Sequence, residues 1–134
     1  MRALLDTHIL LWALTDDVRL PPVAKTIICD ASNAIFHSAA SSWEIAIKHA
    51  LHPDRMLIGA AALLDYCREA GFQSLPVMDR HVLALETLRR PADVPRHHDP
   101  FDRIMVSQAK ADDLIFITHD ALLGGYEEPC ILMV

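Results

Sequence analysis

Aromatic residues are scarce: two Trp, two Tyr and four Phe make up 6% of 134 residues. Any core must therefore be built mainly from Leu, Ile, Val and Ala. Glycine is rarer still, at four, and the pair Gly124-Gly125 lies outside any G-x-x-x-x-G-K context, which excludes a phosphate-cradling P-loop. No G-x-S-x-G occurs, so a serine-hydrolase elbow is excluded as well. Cys29, Cys67 and Cys130 are odd in number and far apart, without the paired spacing of a zinc knuckle or redox motif. Buried free thiols are expected of them. No apolar run approaches the roughly 20 residues that span a bilayer. The opening Met1-Arg2-Ala3-Leu4-Leu5-Asp6 meets a carboxylate too early for a signal peptide, so a cytoplasmic protein is expected. Positive charge is also short: 12 Lys and Arg against 18 Asp and Glu leave −6 and a pI of about 5.7. That argues against a broad basic face for nucleic acid. It leaves room for acids gathered in one cleft and neutralised by a cation.

What the chain does have is apolar surface: 52% hydrophobic residues and a mean hydropathy of +0.22, enough to exclude disorder. Its length suits one domain over residues 1–134. Short apolar runs alternate with longer amphipathic stretches. Strands are predicted at Ala3–Leu5, Ala34–Ser38, Ser74–Val77, Leu114–Thr118 and Cys130–Val134, the third an edge strand because Pro76 has no donor for a ladder. Helices are predicted from Thr7 to Leu14, from Pro21-Pro22 to about Ala31, from Ala40 to Leu51 and from Met56 to Ala70. Two more run from an Asp79 cap to about Leu88 and from Asp99-Pro100 to about Ala111, with a loop over 89–98. In the third helix Trp43, Ile47, Ala50 and Leu51 form one apolar stripe. Strands apolar on both faces and separated by helices predict a three-layer α/β/α sandwich around a mainly parallel sheet of four to five strands.

In such a sheet the strand C-termini and the N-termini of the following helices share one edge, where ligand sites form. Asp6 directly follows the first strand, and Asp120 follows Ile115-Phe116-Ile117-Thr118 in the same way. Glu44 lies early in the helix after Ala34–Ser38, and Asp99 and Asp102 open another helix. Five acids from four segments are thus directed to one place. Each also has a local explanation. Asp6 and Asp120 suit helix caps, Glu44 is four residues before Lys48, and Asp99-Pro100-x-Asp102 is an orderly helix start. Asp102 therefore ranks above Asp99 as a ligand. Together at one edge the acids resist joint ionisation, so a proton or cation must be shared among them. A hard divalent ion fits, magnesium first and manganese as a plausible substitute, and it suits phosphodiester hydrolysis with one ion or two. Thr7 and Thr118 stand beside the acids as hydrogen-bonding support for a carboxylate or an attacking water. His97-His98 lacks the i, i+4 spacing of a helical zinc site, and the eight histidines read as polar surface or supporting groups, with His8 and His119 nearest the acids. Arg89, Arg90, Arg96 and Arg103 form either a local positive strip or a solvated loop.

These residues resemble a known family. Leu4-Leu5-Asp6-Thr7-His8 with Leu11-Trp12, Ser42-Trp43-Glu44-Ile45-Ala46-Ile47-Lys48, His98-Asp99-Pro100-Phe101-Asp102-Arg103 with Gln108-Ala109, and Thr118-His119-Asp120 are similar, in order, to the four motifs of PIN-domain toxins of the VapC type. The resemblance implies that Asp6, Glu44, Asp102 and Asp120 form an acidic metal site, with Asp99 as an additional acid. It also implies RNA cleavage, a homodimer, and inhibition by a cognate antitoxin. Leu51-His52-Pro53-Asp54 and His97-His98 depart from the usual pattern beside the motifs. A PIN-like binding module without turnover and a metal-dependent deoxyribonuclease are the alternatives.

Overall fold

In the computed structural model, residues 1–134 fold in the order β1 (Arg2–Leu5), α1 (Thr7–Leu14), α2 (Pro22–Cys29), β2 (Ala34–Ser38), α3 (Ala39–Leu51), α4 (Ala60–Glu69), β3 (Gln73–Leu75), α5 (Asp79–Leu85), α6 (Pro100–Asp112), β4 (Ile115–Thr118), a 3-10 turn (Ala121–Gly125) and β5 (Ile131–Met133). The five strands form one parallel sheet in the order β3-β2-β1-β4-β5. β1 lies at the centre, pairing Leu4 with Phe36 on one side and with Phe116 on the other.

Strand alternation sorts the core into two faces. Ala3, Leu5, Ile35 and Ile117 pack with Ile9, Leu10, Ala24, Ile45, Leu63 and Cys67, so α1 to α4 supply most of one outer layer. Leu4 and Phe116 point the other way, against Met105, Val106 and Ala109 of α6 and Leu123 and Tyr126 beyond β4. Each of Leu4, Leu5, Phe116 and Ile117 is fully buried, contributing about 1.5–3 kcal/mol by transfer from water. The expected α/β/α sandwich is what forms. No helix is long and apolar enough to cross a membrane.

Several local expectations shift. The helix expected from Met56 begins only at Ala60, after Gly59. β3 ends at Leu75, so Pro76 lies outside the ladder and never has to donate to it. Asp79 is the first residue of α5 rather than its cap; the backbone N–H of Met78 donates instead to His81 Nδ1 at 2.9 Å. The apolar stripe of α3 faces outward, with Trp43 64% and Leu51 68% exposed. Only Cys67 is a fully buried thiol, whereas Cys29 is exposed and Cys130 half-buried.

Candidate active site

The sheet order places the site. From β1 the chain moves outward through β2 to β3, then returns to the other side of β1 to add β4 and β5. The order reverses between β1 and β4, and a crevice opens beyond their carboxyl ends at such a switch point. Asp6 follows β1, and Thr118 and Asp120 stand at the end of β4. The backbone N–H of Asp6 donates to the Ile117 carbonyl at 3.0 Å, which locks the two strand ends together.

Asp6 caps α1 and accepts the His8 backbone N–H at 3.0 Å on Oδ1. Its Oδ2 accepts the hydroxyl proton of Thr118. The Thr118 hydroxyl in turn accepts the Asp120 backbone N–H at 3.1 Å, so one buried side chain positions both strand-end acids. Burial pushes the Asp6 carboxyl above its ordinary range, and these two hydrogen bonds oppose it. The Thr7 hydroxyl pairs with that of Ser41 at 2.9 Å. This contact ties the start of α1 to the first turn of α3, one turn before Glu44.

α3 is set by β2. Ser38, its N-cap, accepts the Ala40 backbone N–H at 3.0 Å and donates to Gln108 Oε1 at 2.6 Å. The Gln108 amide donates to the Pro76 carbonyl at 3.2 Å, so one buried side chain of α6 joins the ends of β2 and β3. Glu44 is 5% exposed, although it makes the i, i+4 pair with Lys48 at 2.7 Å through Oε2. Its Oε1 is buried with no hydrogen-bond partner. An orphaned carboxylate oxygen in a cleft is costly, and a bound cation would relieve that cost.

Asp99 caps α6, its Oδ1 accepting the backbone N–H groups of Phe101 at 2.9 Å and Asp102 at 3.2 Å. That occupation sets it apart from Asp102, whose side chain is 13% exposed and accepts no backbone N–H. Burial, followed by repulsion from Asp6, Asp99, Glu44 and Asp120, pushes the Asp102 carboxyl up to about 8. The structure therefore brings all five acids near enough to act on one charge. Asp120 caps the 3-10 turn, its Oδ1 accepting the Leu122 backbone N–H at 2.9 Å.

The reading from sequence missed His97. Its ring is buried, with Nε2 3.3 Å from Asp102 Oδ2 and Nδ1 2.9 Å from Tyr126 Oη. Ligand atoms of His97, Asp102 and Asp120 all lie within 4.8 Å of one another. Burial, together with nearby Arg90, lowers the proton affinity of the ring. A cavity of about 410 Å³ is lined by His97, Arg90, Arg96, His98, Arg103 and Tyr126 among others, with no acid in its wall. Arg90 is already committed: it donates to the carbonyls of Pro95 and Leu122 and stacks over Tyr126 at 4.8 Å. Arg89 lines a different cavity beside Lys110 and Glu128. Arg96 and Arg103 remain as positive groups facing this space.

The molecule is thus an α/β/α sandwich with a carboxylate-rich cleft at the switch point of a parallel sheet. The PIN domain family model matches residues 3–124, and the chain belongs to that family, whose members are nucleases. The fold is also similar to the crystal structure of VapBC2 from Rickettsia felis bound to a DNA fragment from their promoter, with a TM-score of 0.67 at 14% identity, covering 100% of this chain and 98% of that one. A search of curated proteins finds no match.

Proposed function

We propose that this protein is a magnesium-dependent endoribonuclease, with manganese as a substitute ion, acting in the cytoplasm as the VapC-type toxin of a toxin–antitoxin pair. The observation that carries the reading is the convergence of Asp6, Glu44 and Asp120 on Asp102, whose carboxyl is pushed up to about 8, with Glu44 Oε1 buried and unsatisfied. So many acids in so little water need a cation to be ionised together.

Asp6 and Asp102 would hold the ion directly, and Asp120 and Glu44 would complete the site or hold its water, with Asp99 chiefly the cap of α6. When bound, the ion would supply an activated water and stabilise charge on the phosphoryl and leaving oxygens. Thr118 keeps Asp6 and the Asp120 backbone in register. Lys48 neutralises one oxygen of Glu44 and leaves the other for the cleft. Arg96 and Arg103 offer charge for phosphates flanking the cut, which answers the unfavourable net charge of the whole chain.

The four motifs and the likeness to VapBC2 support an antitoxin as the partner. A homodimer belongs to the same reading. Trp43, Ile47 and Leu51 on α3, with Phe101 5.1 Å from Trp43, give a partner apolar surface to cover. The deciding experiment is incubation of an RNA pool, and of single- and double-stranded DNA in parallel, with wild type and Asp6→Asn, with Mg²⁺ and with EDTA. RNA cleavage by metal-loaded wild type alone is expected. DNA cleavage in its place would make the protein a deoxyribonuclease. No cleavage by a folded wild type that binds its partner would favour a binding module without turnover.

A further inference from the structure

We propose that His97 is a nitrogen ligand of this cation site, and that it makes the site hold transition ions such as Co²⁺ and Mn²⁺ more tightly than magnesium. The inference rests on the reading of the acids as a cation site and adds a ligand that the acidic motifs do not include.

Three observations support it. First, the spacing is that of neighbouring ligands. Around an ion with bonds of about 2.1 Å, adjacent octahedral ligand atoms are about 3.0 Å apart. Nε2 of His97 and Oδ2 of Asp102 are 3.3 Å apart, and an Asp120 oxygen completes a set within 4.8 Å. A charge-assisted hydrogen bond would be shorter, at about 2.7–2.9 Å. Second, the other ring nitrogen is engaged in the way metal-bound histidines require. Such a histidine almost always donates its remaining N–H to an oxygen, which fixes the tautomer and the ring plane. Nδ1 lies 2.9 Å from the Tyr126 phenol, a contact buried from solvent. With the proton on Nδ1, the Nε2 lone pair faces Asp102 Oδ2, where a bound cation would engage both atoms. Third, Tyr126 is itself fixed from behind by Arg90, which stacks on its ring at 4.8 Å and is anchored by the carbonyls of Pro95 and Leu122. Imidazole favours transition ions, whereas carboxylates alone suit magnesium. One nitrogen among oxygens therefore biases the site without excluding magnesium.

The test is calorimetric titration of the full-length protein with Mg²⁺ and with Co²⁺, and pulsed EPR of the Mn²⁺-loaded protein. Wild type is expected to bind Co²⁺ at least about tenfold more tightly than Mg²⁺, with ¹⁴N modulation on the Mn²⁺ signal. His97→Asn is expected to lose about 10–100-fold in Co²⁺ affinity, to change little for Mg²⁺, and to lose the nitrogen modulation. Tyr126→Phe, which removes only the oxygen that receives the Nδ1 proton, is expected to weaken Co²⁺ and keep the modulation. If His97→Asn fails to fold, the wild-type spectrum with ¹⁵N-histidine and the Tyr126→Phe titration still decide. Equal losses for both ions, or bound Mn²⁺ without nitrogen modulation, would make His97 only a hydrogen-bond donor to Asp102 and overturn the proposal. Modulation that persists in His97→Asn would move the role to another histidine. Should wild type bind none of these ions, the cation site itself falls; RNA cleavage supported by Mg²⁺ without a nitrogen ligand would remove this inference alone.

Discussion

Replacing Asp102 with Asn is expected to abolish activity and yet stabilise the metal-free protein at alkaline pH. In the folded chain the carboxyl is raised to about 8, against an ordinary value near 3.8. Between those values the folded state holds a proton that the unfolded state has released, so stability falls as pH rises through the window. Each pH unit costs at most about 1.4 kcal/mol, and four units set a ceiling of roughly 5–6 kcal/mol. Much less will be realised, because Asp6, Glu44 and Asp120 share the repulsion and water reaches the cleft. Asp102 also gains about 0.5 kcal/mol from the N-terminal dipole of α6, which the amide gives up. The balance favours the variant by about 1–2 kcal/mol at pH 8, or roughly 3–8 °C in melting temperature. The assay is thermal unfolding of both proteins in EDTA at pH 4, 6 and 8. The gap should be small or absent at pH 4 and widen with pH, and added Mg²⁺ or Mn²⁺ should raise the melting temperature of wild type alone. A variant less stable than wild type at pH 8, or a gap that does not change with pH, would refute the reasoning.

Thr118→Val keeps the shape of the buried side chain but removes the proton that Asp6 accepts and the oxygen that receives the Asp120 N–H. Cation affinity measured by titration should fall about 10–100-fold. In Gly125→Ala the new methyl would meet Arg90 Nη1 at 2.7 Å, a guanidinium held in place by two carbonyls. A loss of about 1–3 kcal/mol in chemical denaturation is expected, and an unchanged midpoint would show that Arg90 swings free. His81→Ala removes a fully buried ring that bridges the Met78 N–H and the Asp112 carboxylate. It should cost about 2–3 kcal/mol. Cleavage below the melting temperature should persist, because Asp112 lies ten residues, about 15 Å, along α6 from Asp102.

The layering was legible in the sequence because apolar runs such as Ile115-Phe116-Ile117 bury both faces, a pattern that only a covered parallel sheet explains. Asp6 and Asp120 were legible for a local reason: each lies within two residues of a strand's end, and every strand end of a parallel sheet reaches the same edge. The strand order was not, since nothing local states that β4 returns beside β1. Periodicity identified the apolar stripe of α3 but not its surroundings, because a pattern shows which side is apolar and not what covers it. His97 escaped for the same reason on a larger scale. It lies in a loop without period, and its partner Tyr126 is 29 residues away. Glu44 illustrates how local rules mislead: its pair with Lys48 is real, yet it leaves one oxygen buried and unmet.

The loop that carries His97 is held from one short stretch of chain. The Arg89 backbone N–H donates to Glu128, the Glu127 N–H to the Arg89 carbonyl, Arg90 to the Leu122 carbonyl, and His97 meets Tyr126. All of these anchors lie between residues 122 and 128. A growing polypeptide has made three of the four principal acids once Asp102 is added, but it cannot seat this loop until some 25 residues later. Assembly of the cleft is thereby deferred until the stretch from 122 to 128 has been made. For an enzyme whose proposed substrate is RNA, the acids of the cleft are thus made before the loop that completes its wall can be seated.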